Sequence, residues 1–260
     1  MSARVDEFLN LVLWAGDVVL RPSSRNVVDS REVWAYRNGI YRRVTRLERQ
    51  QFLERKHSPS DERVYRLTEP GRVRALGGRD PEVRWSRTWD GLWRNYLYDV
   101  PAGQDGLRQA LRRALRARYF GYLQNSVWIT PDPPDEERQI IQGARIDVES
   151  LIVLEGRPCA GESDAQIVKG AWNFERINRR YQQHLEVLRQ CPGGSLKSES
   201  ARNALLRWIA LERQAWIEAV AIDPLLPRRI LPPDYLGEVA WRTRIEVLRR
   251  AGSALHEVKV

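Results

Sequence analysis

A chain of 260 residues with a formal net charge of +9 and 42% hydrophobic residues is long enough for two or three domains and a sizeable buried core. Its two cysteines, Cys159 and Cys191, stand far apart without the paired spacing of a zinc site, which argues against a disulfide framework or structural metal and fits a reducing cytoplasm. The basic excess is uneven: residues 1–78 sum to +5, 79–165 to −2 and 166–260 to +6, so two ends suited to polyanions flank a slightly acidic middle.

In chain order, Val5, Leu9, Val12 and Leu13 lie at helical spacing and predict a helix over 3–16 with an apolar stripe. Asp6 and Glu7 precede the first apolar run, Phe8 to Leu20, and Asn10 and Asp17 break it, so neither a secretory signal nor a membrane span is expected. A shorter helix is expected over Asp29 to Tyr36. Within Asn38 to Leu53, Ile40, Val44 and Leu47 follow the i, i+4, i+7 rule and define a buried stripe. At about 100° per residue, Arg42, Thr45, Arg46 and Arg49 fall on the opposite side, bordered by Tyr41. Phe52-Leu53, a polar turn around Ser58-Pro59-Ser60-Asp61, and Val64 to Leu67 then read as a β-hairpin. Three helices and a hairpin make a winged helix-turn-helix, whose third helix enters a major groove. Guanidinium pairs with guanine edges or phosphates, and Thr contacts a base or a thymine methyl. Arg55, Lys56 and Arg63 in the wing suit phosphate contacts.

The middle of the chain reads as strand, helix and paired strands. Trp93 to Val100 is a buried strand ended by Pro101 and Gly103, and Leu107, Ala110, Leu111, Ala114 and Leu115 recur at helical spacing over 104–118. That helix exposes Arg108, Arg112 and Arg116. Tyr122 to Thr130 returns to strand-like residues, Glu136 to Ala144 supplies a second helix and Val148 to Leu154 a last strand. The order is β-α-β-β-α-β, a ferredoxin-like domain.

The C-terminal part reads as mainly helical. Ile177, Tyr181, Leu185 and Leu188 form one stripe, Cys191-Pro192-Gly193-Gly194 breaks it, and helices follow over about 198–222 and 236–256. Asp223-Pro224 separates them. Of the ten tryptophans, Trp172, Trp208, Trp216 and Trp241 lie here and suit core packing. No G-x-S-x-G, H-E-x-x-H, P-loop or dinucleotide glycine fingerprint occurs, so common enzyme classes have no foothold.

Several blocks of sequence are more specific than their periodicity. Trp89-Asp90-Gly91, Trp93-Arg94, Tyr98-Asp99-Val100-Pro101 and Leu123-Gln124-Asn125-Ser126-Val127-Trp128 closely resemble the central domain of the PaaX family of transcriptional repressors. Asp223-Pro224-Leu225-Leu226-Pro227, Leu231-Pro232-Pro233-Asp234-Tyr235 and Gly237 resemble its C-terminal signature, and Ala171 to Phe174 and Arg180-Tyr181 lie between. Arg46-Leu47 and Tyr65 to Thr68 match its winged domain, whereas two outward positions within Ile40 to Leu47 depart from the family's usual residues. The resemblance implies an α+β chain with a winged helix-turn-helix over 1–78, a ferredoxin-like dimerisation domain over 85–160 and a helical effector domain over 165–260. It implies a homodimeric repressor on double-stranded operator DNA, released by an acyl-CoA such as phenylacetyl-CoA, with no catalytic role, cofactor, metal or membrane partner. An aromatic acyl group and CoA phosphates are expected to meet Trp172, Arg176, Arg179, Arg180, Arg228 and Arg229.

The family's central domain is also similar to a small CRISPR adaptation nuclease, which places a metal-binding aspartate where Asp99 ends the first strand. Two such carboxylates across a dimer axis would hold one magnesium ion. No acidic or His cluster adjoins Asp99, and Asp before Pro is a common turn device. A third reading is a ligand-binding or interaction module that has lost specific DNA reading.

Overall fold

The computed structural model describes residues 40–56, 64–134, 150–194 and 198–257. In order these form α1 (Ile40–Arg49), β1 (Leu53–Lys56), β2 (Val64–Leu67), α2 (Glu69–Ala75), α3 (Pro81–Ser86), β3 (Trp93–Asp99), α4 (Asp105–Ala117) and β4 (Gly121–Gln124). Then come β5 (Val127–Thr130), β6 (Ser150–Gly156), α5 (Asp164–Ala171), α6 (Phe174–Arg189), α7 (Glu199–Val220), a 3-10 turn (Arg228–Ile230) and α8 (Gly237–Glu257). The helices expected over 3–16, 29–36 and 136–144 lie outside the described residues. The architecture is mixed α+β, in two compact units. One gathers the described residues up to Asp80 with Arg180–Ala221 and those from Leu236 on; the other holds Pro81–Arg179 and Ile222–Tyr235.

The second unit is built on a four-stranded sheet in the order β4-β5-β3-β6, every neighbouring pair antiparallel. Alternation along β3 sends Tyr96 and Tyr98 to one face, where they join Trp128 of β5 and the Leu111 and Leu115 stripe of α4 in a buried cluster completed by Val100 and Phe120. Tyr96 and Phe120 meet edge to face at 4.9 Å, and the Trp128 indole donates to the Tyr98 hydroxyl at 3.3 Å. The turn between β4 and β5 carries Asn125 at φ 39°, a conformation Asn tolerates better than most residues. Strand order and polarity are those a β-α-β-β-α-β chain requires, and α4 is the crossover.

α5 covers part of the opposite face. A capping box starts it: Ser163 Oγ accepts from the Gln166 amide at 3.3 Å while Gln166 Oε1 accepts from the Ser163 amide at 2.7 Å. Trp93, on this face of β3, donates its indole N–H to Asp164 at 2.8 Å, and Ala171 and Trp172 close down on Gly121 of β4.

The segment 223–227, expected as a proline-rich connection between helices, is buried instead. Asp223 organises it, accepting from the Leu225 amide at 2.8 Å and from the Tyr235 hydroxyl at 2.5 Å, while Trp85 donates to that same hydroxyl. Arg87 reaches the Leu225 carbonyl and, with Arg84, Asp132. Burial opposes ionisation of Asp132, but the two guanidinium groups outweigh it and hold its carboxyl below the ordinary value. Leu225 sits in the left-handed region at φ 49°, fully buried and fixed on both its amide and its carbonyl.

In the first unit, α6, α7 and α8 pack Leu188, Leu205, Trp208, Ile209, Val247, Leu248 and Ala251 into one core. Beside it lies a buried ionic group. Glu212 of α7 accepts from Arg244 Nε at 2.7 Å and Nη2 at 3.3 Å and pairs with His184 Nε2 at 2.9 Å. The Arg244 guanidinium lies over the rings of Trp216 and Trp241, 5.0 and 6.0 Å from their centroids. Trp216 in turn donates to the Leu76 carbonyl at the end of α2, at 3.3 Å.

Candidate nucleic-acid interface

The helix expected to read DNA is α1, and its sidedness is that of an amphipathic helix. Leu47 is wholly buried, whereas Thr45, Arg46 and Arg49 are exposed. Tyr41 and Arg42 lie on the same helix, one turn earlier, with side chains outside the described residues. The helix ends in a paired C-terminal motif: the Phe52 amide donates to the Leu47 carbonyl at 2.9 Å and the Gln51 amide to Glu48 at 2.9 Å, with Gln51 at φ 58°. That reversal delivers the chain directly into β1.

β1 and β2 form an antiparallel hairpin with Leu53 opposite Leu67, Arg55 opposite Tyr65 and Lys56 opposite Val64. Arg55 and Lys56 therefore end the first strand of the hairpin. Arg63, the third expected phosphate contact, lies outside the described residues. Thr68 closes the hairpin base, donating from Oγ1 to the Gln51 carbonyl at 2.5 Å and accepting from the Gly71 amide at 3.2 Å as the N-cap of α2.

The residues proposed for an effector divide. Trp172 stacks at 6.1 Å from Trp93, which lies 5.2 Å from Trp89, whose ring carries the Arg229 guanidinium at 5.7 Å. One aromatic row thus joins Trp172 to Arg229. All three indole N–H groups already have carbonyl or carboxylate acceptors. Arg228 and Arg229 are exposed on the 3-10 turn. Arg176 and Arg179 are exposed near the start of α6, Arg179 paired with Glu175 at 2.8 Å. Arg180, in the first unit, pairs with Glu218 at 3.0 Å.

Asp99 is exposed at the end of β3, with Ser150 as its register partner. Among the described residues no group of three or more His, Cys, Asp or Glu side chains gathers where a metal ion would fit, and no helix is long and apolar enough to cross a membrane.

Residues 86–168 match the profile of the PaaX protein central Cas2-like domain, and residues 172–256 that of the PaaX-like protein C-terminal domain. Among curated proteins none matches. Among solved structures, an uncharacterized protein from Mycobacterium tuberculosis shares 19% identity over 96% of this chain and 97% of its own, with a TM-score of 0.55. That likeness concerns the fold alone. The two profile matches adjoin one another, lie in the expected order and together cover most of the chain: it belongs to the PaaX family.

Proposed function

We propose that this chain is a DNA-binding transcriptional regulator of the PaaX type, a homodimer that leaves its operator when an acyl-CoA binds. The observation that carries this reading is the exposed Thr45, Arg46 and Arg49 side of α1, opposite the buried Leu47 and followed at once by a basic hairpin. Helix and hairpin are the recognition and wing elements of a winged helix-turn-helix, with Arg46 and Arg49 directed to base edges or phosphates and Arg55, Lys56 and Arg63 to the backbone.

Dimerisation is supported by the sheet face opposite α4. Ile152 and Leu154 are each 52% exposed on β6, an edge strand, and share that face with Leu97 and Val127. Apolar side chains of this size on an open edge favour a partner. Ile152→Asp with Leu154→Asp is expected to shift the protein from dimer to monomer in sedimentation and to weaken operator binding. An unchanged dimer would assign the contact elsewhere.

Two winged domains on one duplex require half-sites about 34 Å apart, one helical turn. Release by an effector requires that it bind the DNA-competent and incompetent dimers with different affinity, since equal affinity shifts nothing. Arg228 and Arg229 at the end of the aromatic row supply cations for CoA phosphates, and phenylacetyl-CoA is the effector the family suggests.

The test is selection of duplexes from a random pool by the full-length protein. An enriched inverted repeat, released by phenylacetyl-CoA or another acyl-CoA, is the expected result. No enrichment would reject sequence-specific regulation. Cleavage of DNA or RNA in magnesium, abolished by Asp99→Ala, would replace it with a nuclease.

A further inference from the structure

The proposed regulator function leaves one charged surface unused. Residues 79–165 are acidic overall at −2, yet 105–118, which is α4 with its C-cap Arg118, carries five arginines and a single acid, Asp105, leaving −6 on the remainder. Arg108, Arg112 and Arg116 follow one another at i, i+4 and i+8 and so form a row along one side of α4, about 12 Å long at 1.5 Å per residue. Leu111 and Leu115 hold the helix against the sheet, Arg113 is exposed beside the row, and Arg118 is exposed at the helix end.

Two features separate this row from an ordinary solvated face. Solvated helices relieve charge by placing Glu or Asp one turn from Lys or Arg, whereas here Arg112 follows Arg108 and Arg116 follows Arg112, and like charges at that spacing repel. Within α4 and its cap, among the described residues, only Arg108 has a carboxylate partner, Asp105 at 2.5 Å; Arg112, Arg116 and Arg118 have none. The Arg116 guanidinium lies 5.8 Å from the Trp128 ring centroid, a contact that orients it without neutralising it. A row of one sign is a poor contact for its own copy across a two-fold axis and a good one for a polyanion.

We propose that the Arg108-Arg112-Arg116 row on α4 is a second, sequence-independent contact with duplex DNA, made by the central domain to the phosphate backbone. One strand presents a phosphate every 3.4 Å of helix axis, so a row about 12 Å long meets three to four phosphates. The central domain then adds affinity and salt dependence, while the winged domain supplies sequence discrimination. The inference rests on the DNA-binding reading above.

The experiment measures binding of the full-length protein to a selected duplex and to a random one between 50 and 200 mM salt. With Arg112→Gln and Arg116→Gln together, the slope of log affinity against log salt is expected to become shallower by about 1.8, so this variant loses about twelvefold less affinity than the parent across that range. The ratio of selected to random affinity should not change. Arg116→Gln alone should remove about half of the slope change, which keeps the test valid if the double variant proves unstable. Unchanged slopes in both variants, in protein that melts at the parent temperature, would overturn the proposal and leave the regulator reading intact. Unchanged slopes with lost release by acyl-CoA would reassign the row to the effector's phosphates. A parent protein that binds neither duplex would instead overturn the DNA-binding reading itself.

Discussion

Glu212→Ala is expected to lower the unfolding free energy by about 3–5 kcal/mol, a large share of the stability of a typical domain. The carboxylate is 2% exposed and neutralises a guanidinium that is 5% exposed. Removing it leaves Arg244 buried beside two indole rings with no countercharge, and leaves the His184 Nε2–H without its acceptor. Truncation therefore costs the desolvation of groups that stay behind, not merely the lost bonds. Glu212→Gln keeps the shape and one acceptor oxygen but not the charge, so its loss should fall between the parent and alanine. Urea unfolding of the three proteins checks this, and a loss below about 1 kcal/mol for alanine would contradict the account.

The same group predicts a pH dependence. Burial opposes ionisation of Glu212, but Arg244 and His184 outweigh it and hold its pKa below the ordinary 4.5. A carboxyl whose pKa is lower folded than unfolded contributes stability that is present above about pH 4.5 and is lost as pH falls through the folded value. The parent should therefore lose stability on acidification more steeply than Glu212→Gln.

Gly121→Ala is expected to cost about 1–3 kcal/mol through crowding alone. A Cβ there would stand 2.6 Å from the Ala171 Cβ and 2.8 Å from two atoms of the Trp172 ring. Neither neighbour is a flexible tip. Ala171 closes α5, and the indole is tethered by its N–H to the Tyr119 carbonyl at 2.9 Å. α5 must lift from β4 to make room, loosening the Trp172 end of the aromatic row. Gly170→Ala, one residue from Ala171 and with nothing within 4 Å of its Cβ position, serves as the control. It should be neutral or slightly stabilising, because alanine favours a helix interior. Equal losses for the two variants would show that the contact of Gly121 with Ala171 and Trp172 does not set the cost.

How far the sequence alone reaches depends on whether a feature is local. The Leu111 and Leu115 stripe of α4 and the Ile177, Tyr181 and Leu188 stripe of α6 fall at helical spacing, and both are buried. The last two helices begin and end within a few residues of their expected bounds. Three short helices escaped that reading although their start signals are present. Thr68 with Pro70 marks the beginning of α2, Pro81 that of α3, and Ser163 with Gln166 that of α5. The buried ionic group had no such signal. His184, Glu212 and Arg244 lie 28 and 32 residues apart along the chain, and each alone resembles a solvated polar residue on an amphipathic helix. The signature around Asp223 was recognisable, but its role was not: packing, rather than the prolines, buries Leu225 and Leu226, and only the contacts of Asp223 and Arg87 explain a leucine at positive φ. In the candidate interface, periodicity separated Leu47 from Arg46 and Arg49 correctly because one helix turn decides it.

The central claim is that the exposed side of α1 reads base sequence. It is tested most directly by measuring Arg46→Ala on the selected duplex and on random DNA at one salt concentration. The account predicts a loss of about 1–3 kcal/mol on the selected sequence, a much smaller loss on random DNA, and relaxed preference at one position of each half-site. Equal losses on both duplexes would make Arg46 a phosphate contact, and no loss on either would contradict the account.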